Sequence, residues 1–155
     1  MAYSQDLKTA YRSSLILYTV IMATLAIYLG VFEILKAHIP NFQGAMDRTG
    51  FPWLRYAFYA LGLIQVFLIK FIREAAVKSI DTTDIQTLIQ YLQRMAVISA
   101  TLCEVPVLLG WVLFFLGGLS RDFYILLILS FVLFVIYFPR YPHWEMRIRS
   151  KVIPK

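Results

Sequence analysis

Apolar residues run through this chain in four long blocks, at about 13–36, 53–72, 95–119 and 123–138, separated by short polar stretches. A helix needs about 20 mostly apolar residues to cross the hydrocarbon core of a bilayer. The first three blocks reach that length, and the fourth is the shortest. Backbone groups in lipid must be satisfied within their own segment, and these blocks exceed the alternating strands of about 10 residues that build a membrane barrel. All four therefore predict helices. The expected fold is all-α, an integral membrane bundle of four antiparallel transmembrane helices in one domain spanning 1–155. The helices are expected at 13–36, 53–80, 83–119 and 123–138, followed by a basic, aromatic cytoplasmic tail at 139–155.

Helical periodicity continues outside the apolar blocks. From Thr83, TDIQTLIQYLQR offers Thr83 as an N-cap with Gln86 three residues on, the capping-box spacing, and Ile85, Leu88, Ile89 and Leu92 share one helical face. The third helix is thus expected to start about three turns before its apolar block. The second should continue through FIREAAVKSI, so that the two form a projecting hairpin turned at SIDTTD. That hairpin either packs on itself or offers an interaction surface. The stretch HIPNFQGAMDRTGFPW reads as an ordered loop or a short re-entrant turn, and GGLSRD is short enough only for a tight hairpin.

Composition agrees with the pattern: the 155 residues are 60% hydrophobic and only 15% charged, against about 25% charged in soluble domains. The net charge of +6 does not indicate nucleic acid, because the basic residues form no single face and collect at the ends of apolar blocks, where anionic lipid head groups lie. Lys8, Arg12, Lys70, Arg73, Lys78, Arg94, Arg140, Arg147, Arg149, Lys151 and Lys155 fall on one side. Lys36, Arg48, Arg55 and Arg121 fall on the other. By the positive-inside rule both termini are cytoplasmic, and a bacterial inner membrane is the expected location. The first block is far longer than a signal-peptide core and is expected to remain in the mature protein. No lipidation signature is expected from the Met-Ala start or the Val-Ile-Pro-Lys end.

Candidate chemistry centres on Glu104, in the apolar stretch TLCEVPVLLG. Ten residues from Arg94, it lies about 15 Å from the cytoplasmic boundary, near mid-membrane. A charged carboxylate there costs on the order of 3 kcal/mol on insertion scales, so the cheaper state is protonated or hydrogen-bonded. By the same rise Thr24 lies about 16 Å deep, Gln65 about 10 Å and Ser130 about 12 Å, and Thr101 is one turn before Glu104. Together they predict a polar layer. Pro106 is expected to kink the third helix and free the carbonyl of Leu102. Two readings of the layer stand: a proton or cation site at Glu104, or a hydrogen bond from the acid to Gln65 or Thr24 that joins two helices. Glu33, three residues from Lys36 near the outer boundary, can pair or snorkel.

No cofactor or metal is expected. His38 and His143 fall on opposite sides, and the chain carries no phosphate loop, nucleophile triad or cysteine pair. Cys103 behaves as a small hydrophobe. Gly110, Gly117 and Gly118 suit close helix packing. In the tail, Arg140, Trp144, Arg147 and Arg149 are the candidate contacts, either to the inner leaflet or to a partner.

The stretch CEVPVLLGWVLFFLGG resembles the carboxylate-bearing helix of the rotary ATPase proteolipids, the c-subunit family, through Glu104, Gly110 and the apolar run 112–116. The resemblance covers 103–118 and implies a ring of helical hairpins in which Glu104 carries the translocated ion. That family's glycine-rich inner helix has no counterpart, since the first helix has only Gly30 and the second only Gly62. The overall layout resembles small uncharacterised bacterial four-helix membrane proteins, which implies no activity. The expected function is a non-enzymatic subunit or scaffold of a membrane assembly, in contact with lipid and with copies of itself or a larger complex. A proton- or cation-linked transport element using Glu104 as an oligomer is the alternative.

Overall fold

The structure is a computed structural model that describes residues 2–39, 42–45, 52–78 and 84–152, without the side chains of 2–4, 76–78, 147 and 149–152. Five helices follow one another: α1 Ala2–His38, α2 Pro52–Lys78, α3 Ile85–Gly117, α4 Ser120–Ile136 and α5 Tyr141–Val152. There is no strand among the described residues. Gln5–His38, Pro52–Ala75 and Ile85–Gly117 are long and apolar enough to cross a membrane. Their outward faces carry Ile27, Ile34, Ile64, Phe67 and Phe71, all more than half exposed. Apolar surface on this scale is stable in lipid rather than water, which marks the chain as a membrane protein.

Each helix end has a local cause. Pro52 opens α2, where its fixed φ suits a helix and its missing N–H costs nothing. Asp84 caps α3 by accepting from the amides of Gln86 and Thr87 at 3.4 and 3.1 Å. The cap expected at Thr83 lies outside the described residues, and α3 starts two residues later than predicted. At its other end Gly118 takes a left-handed φ of 62° and its amide reaches Phe114 O at 2.8 Å, which turns the chain within two residues into α4. The turn is tighter than expected, so α4 starts at Ser120 rather than at 123.

Two further boundaries depart from the sequence reading. α1 begins at Ala2 rather than at 13, and its 37 residues span about 55 Å, well beyond a hydrocarbon core. Its polar first turns are helical because Leu7, Ala10 and Ser14 continue the buried stripe of Tyr18, Leu25 and Phe32. The region after α4 also forms a helix, which the reading as a basic, aromatic tail did not include. Pro142 falls in the first turn of α5, where proline is tolerated.

The helices pack around α3, which meets α4, α1, α2 and α5. One core is centred on Phe32, fully buried and stacked on Phe123 at 4.0 Å between ring centroids, with Trp111, Phe114 and Tyr124 edge-on around it. Gly110 lets the backbone of α4 come close: an added Cβ would sit 3.2 Å from Phe123 Cα. A second core joins Leu7 and Ala10 of α1, Ile89 and Leu92 of α3, and Trp144 and Ile148 of α5. The apolar face predicted for the start of α3 is therefore covered by α1 and α5. The hairpin turn expected at SIDTTD lies outside the described residues.

Candidate functional site: a broken helix at mid-membrane

Pro106 lies inside α3, which stays helical on both sides of it. Lacking an N–H, it leaves the carbonyl of Leu102 without its helical donor, and its ring crowds that carbonyl. α2 answers the break. Gln65, 7% exposed on the face that carries Gly62 and Ile69, donates from Nε2 to Leu102 O at 3.1 Å. α4 answers from the other side, where the fully buried Ser130 accepts from the amide of Val107 at 2.9 Å. An unpartnered backbone group in lipid costs several kcal/mol. The two side chains thus repair α3 where proline disrupts it.

Glu104 lies in the same turn but meets a different partner. The Thr24 hydroxyl of α1 donates to Glu104 Oε1 at 2.6 Å. Thr24 Oγ1 is also 2.5 Å from Ile21 O. Thr101 does not join the group, because its hydroxyl donates to Val97 O at 3.1 Å on an exposed face of its own helix.

The predicted layer is therefore two arrangements. Thr24 and Glu104 meet between α1 and α3, while Gln65 and Ser130 clasp the Pro106 break and are not bonded to the acid. Gln65 reaches the carbonyl two residues before Glu104, on the side nearer the α5 end of the bundle. Glu104 itself is half-buried, with the exposed Thr101 and Leu108 on either side of it along α3.

The sequence reading missed a second polar cluster, toward the opposite end from α5. Asp122 of α4 is 1% exposed and accepts from Arg55 at 2.6 Å and from the Tyr59 hydroxyl at 2.5 Å, both on α2. Arg55 was counted only as an outer charge. The available signal was an acid one turn into an apolar helix, facing an Arg-x-x-x-Tyr pair in the first turns of α2. Asp122 Oδ2, Arg55 Nε and Trp111 Nε1 are buried without a hydrogen-bond partner among the described residues. Nearby, Tyr124 of α4 donates to Glu33 and accepts from Lys36 at 3.2 Å, both on α1.

Of the tail residues, Trp144 is 6% exposed and packed inside the chain, so it is not an outward contact. Arg140 is exposed, and the side chains of Arg147 and Arg149 lie outside the described residues. His38 and His143 are both exposed, and no three of His, Cys, Asp and Glu gather among the described residues. Comparison with family models, curated proteins and solved structures finds no match to this chain.

Proposed function

We propose that the chain is a polytopic protein of four antiparallel spans with both termini in the cytoplasm, serving as a non-enzymatic subunit or scaffold of a membrane assembly, with a bacterial inner membrane as its location. The observation that carries this reading is the use made of the mid-membrane polar groups. Gln65 and Ser130 hold the broken helix together and Thr24 holds Glu104, so the buried polar side chains are committed to joining helices. A fourth span is supported by α4, which is about 25 Å long, has no charged residue between Asp122 and Arg140, and exposes Ile128 and Phe131. The antiparallel order is supported by contacts that run in opposite directions, Tyr18 with Phe134 and Phe32 with Phe123. The excess of basic residues at the end that holds α5 supports cytoplasmic termini.

The test is native mass spectrometry of the protein extracted gently from its membrane. A stoichiometric assembly that survives Glu104→Gln supports the reading, and a monomer with no partner overturns it. One observation favours a transport element instead: Glu104 is half-buried rather than sealed, and the likeness of 103–118 to a proteolipid helix points the same way. Proton or cation flux in proteoliposomes that is lost in Glu104→Gln would establish that second reading, and flux unchanged by the substitution would end it.

A further inference from the structure

Where the chain leaves α4 and turns into α5, it borders a small cleft of about 40 Å³. Arg73 of α2, Ser99 of α3, Tyr137 after α4, and Arg140 and His143 at the start of α5 all line it. Three of these side chains are basic, and no carboxylate is among the described residues of its wall. The Arg73 guanidinium lies 5.4 Å from the centre of the Tyr137 ring, and the Tyr137 hydroxyl is tied to Val66 O at 2.9 Å, so the floor of the cleft is held in place. The first turn of α5 opens at Tyr141, beside Arg140 and His143, and contributes the partial positive charge of a helix N-terminus.

Phe71 of α2 is 70% exposed and Ile136 at the end of α4 is 58% exposed, so both helices that border the cleft also carry outward apolar surface. Basic clefts between helices at the cytoplasmic boundary are suited to anionic lipid head groups. We propose that this cleft binds the phosphate head group of an anionic phospholipid, with Arg73, Arg140 and His143 as donors. The assignment rests on reading α2 and α4 as spans. It is measured on the isolated chain, so it fails or succeeds apart from any assembly.

The experiment is native mass spectrometry of the purified full-length protein titrated with phosphatidylglycerol and with phosphatidylcholine of the same acyl chains. Thermal melting of each variant in the same detergent shows that it is folded. The expected result is preferential retention of phosphatidylglycerol, weakened roughly fivefold by Arg140→Gln and by a similar factor again when Arg73→Gln is added. Arg121→Gln removes an exposed charge from the start of α4 and is expected to leave the preference unchanged. Equal retention of the two lipids, or a preference that persists in the double variant, overturns the proposal. Inorganic phosphate separates the two sources of the same chemistry. Stabilisation by phosphate without a lipid preference would make the cleft a site for a free anion and overturn the lipid assignment. Should the double variant fail to melt cooperatively, Arg140→Gln alone decides, since Arg140 is exposed outside the packed cores.

Discussion

Gln65 donates from α2 to the carbonyl of Leu102, the acceptor that Pro106 leaves without its helical donor. The two residues are therefore energetically coupled although they sit on different helices. Gln65→Leu should cost about 1 kcal/mol, the usual size of an interhelical hydrogen bond in a membrane. In a Pro106→Ala background, where residue 106 can again donate to Leu102, the same change should cost close to nothing. A double-mutant cycle by denaturant unfolding reads the coupling directly, and strict additivity would show that Gln65 is not the repair.

Thr24 and Glu104 should respond unequally to substitution. Glu104→Gln keeps both a donor and an acceptor and should change stability by less than about 1 kcal/mol. Thr24→Val removes a hydroxyl of the same shape and should lower it by about 1 kcal/mol. Thermal melts of the two variants in one detergent test this, and equal losses would show that the Thr24–Glu104 contact is not what joins α1 to α3.

Gly118 and Gly30 make opposite predictions. At Gly118 a side chain meets a left-handed φ of 62° and would collide with Phe42 O and the backbone of Gln43, so Gly118→Ala should cost more than about 2 kcal/mol. Around Gly30 an added Cβ meets nothing within 4 Å, and Gly30→Ala should stabilise α1 by up to about 1 kcal/mol. Thermal melts of the pair in one detergent make the comparison.

Asp84 gives a pH dependence outside the membrane. The Thr87 hydroxyl, followed by the Thr87 amide, holds its carboxyl below the usual carboxylate range. A folded value below the unfolded one, which is about 3.9, means that the capping contribution is complete above that pH. It is lost as the pH falls through the lower folded value. Hydrogen-exchange protection of Leu88, whose amide closes the first turn on Asp84 O, should decline over that acid range in the native protein. In Asp84→Ala it should be weaker at every pH and show no such step.

Trp144 decides whether α5 belongs to the fold. Trp144→Ala empties much of the second core and should cost about 3 kcal/mol or more, releasing α5 to limited proteolysis after α4. A tail that stays protease-resistant in this variant would mean that lipid, rather than α1 and α3, holds it.

How much of this could be read from the chain varies with the kind of interaction. Apolar length was legible because a bilayer imposes it residue by residue, and Pro106 announced both the break and the carbonyl it frees. The answering donor was less legible, since rise along a helix gives depth alone, and rotation about the helix axes decides which side chain faces the acid. Asp122 and Arg55 are 67 positions apart, and nothing local to either shows the other. The α5 helix was readable in principle: Tyr141, Trp144 and Ile148 fall at i, i+3 and i+7, but the basic composition and three prolines masked that period. The early start of α1 was hidden for a different reason, because its first turns are polar apart from single residues that only the tertiary contact explains.

The loop residues 42–45 rest against the α3–α4 turn. The Ala45 amide donates to Phe115 O at 2.9 Å, the Phe42 ring leans on Phe114, and Gly44, with φ of 83°, leaves no space for a Cβ against the Leu116 carbonyl and the Gly117–Gly118 backbone. These two connections lie in separate halves of the chain, and each half has to thread its own turn through lipid before the turns can touch. If the four spans are antiparallel as proposed, the contact acts as a clasp that forms only when the two halves have entered the bilayer with matching orientation. A chain whose second half was inverted would keep its apolar helices and lose the clasp, so backbone fit at this one spot distinguishes a correctly inserted molecule from a merely inserted one.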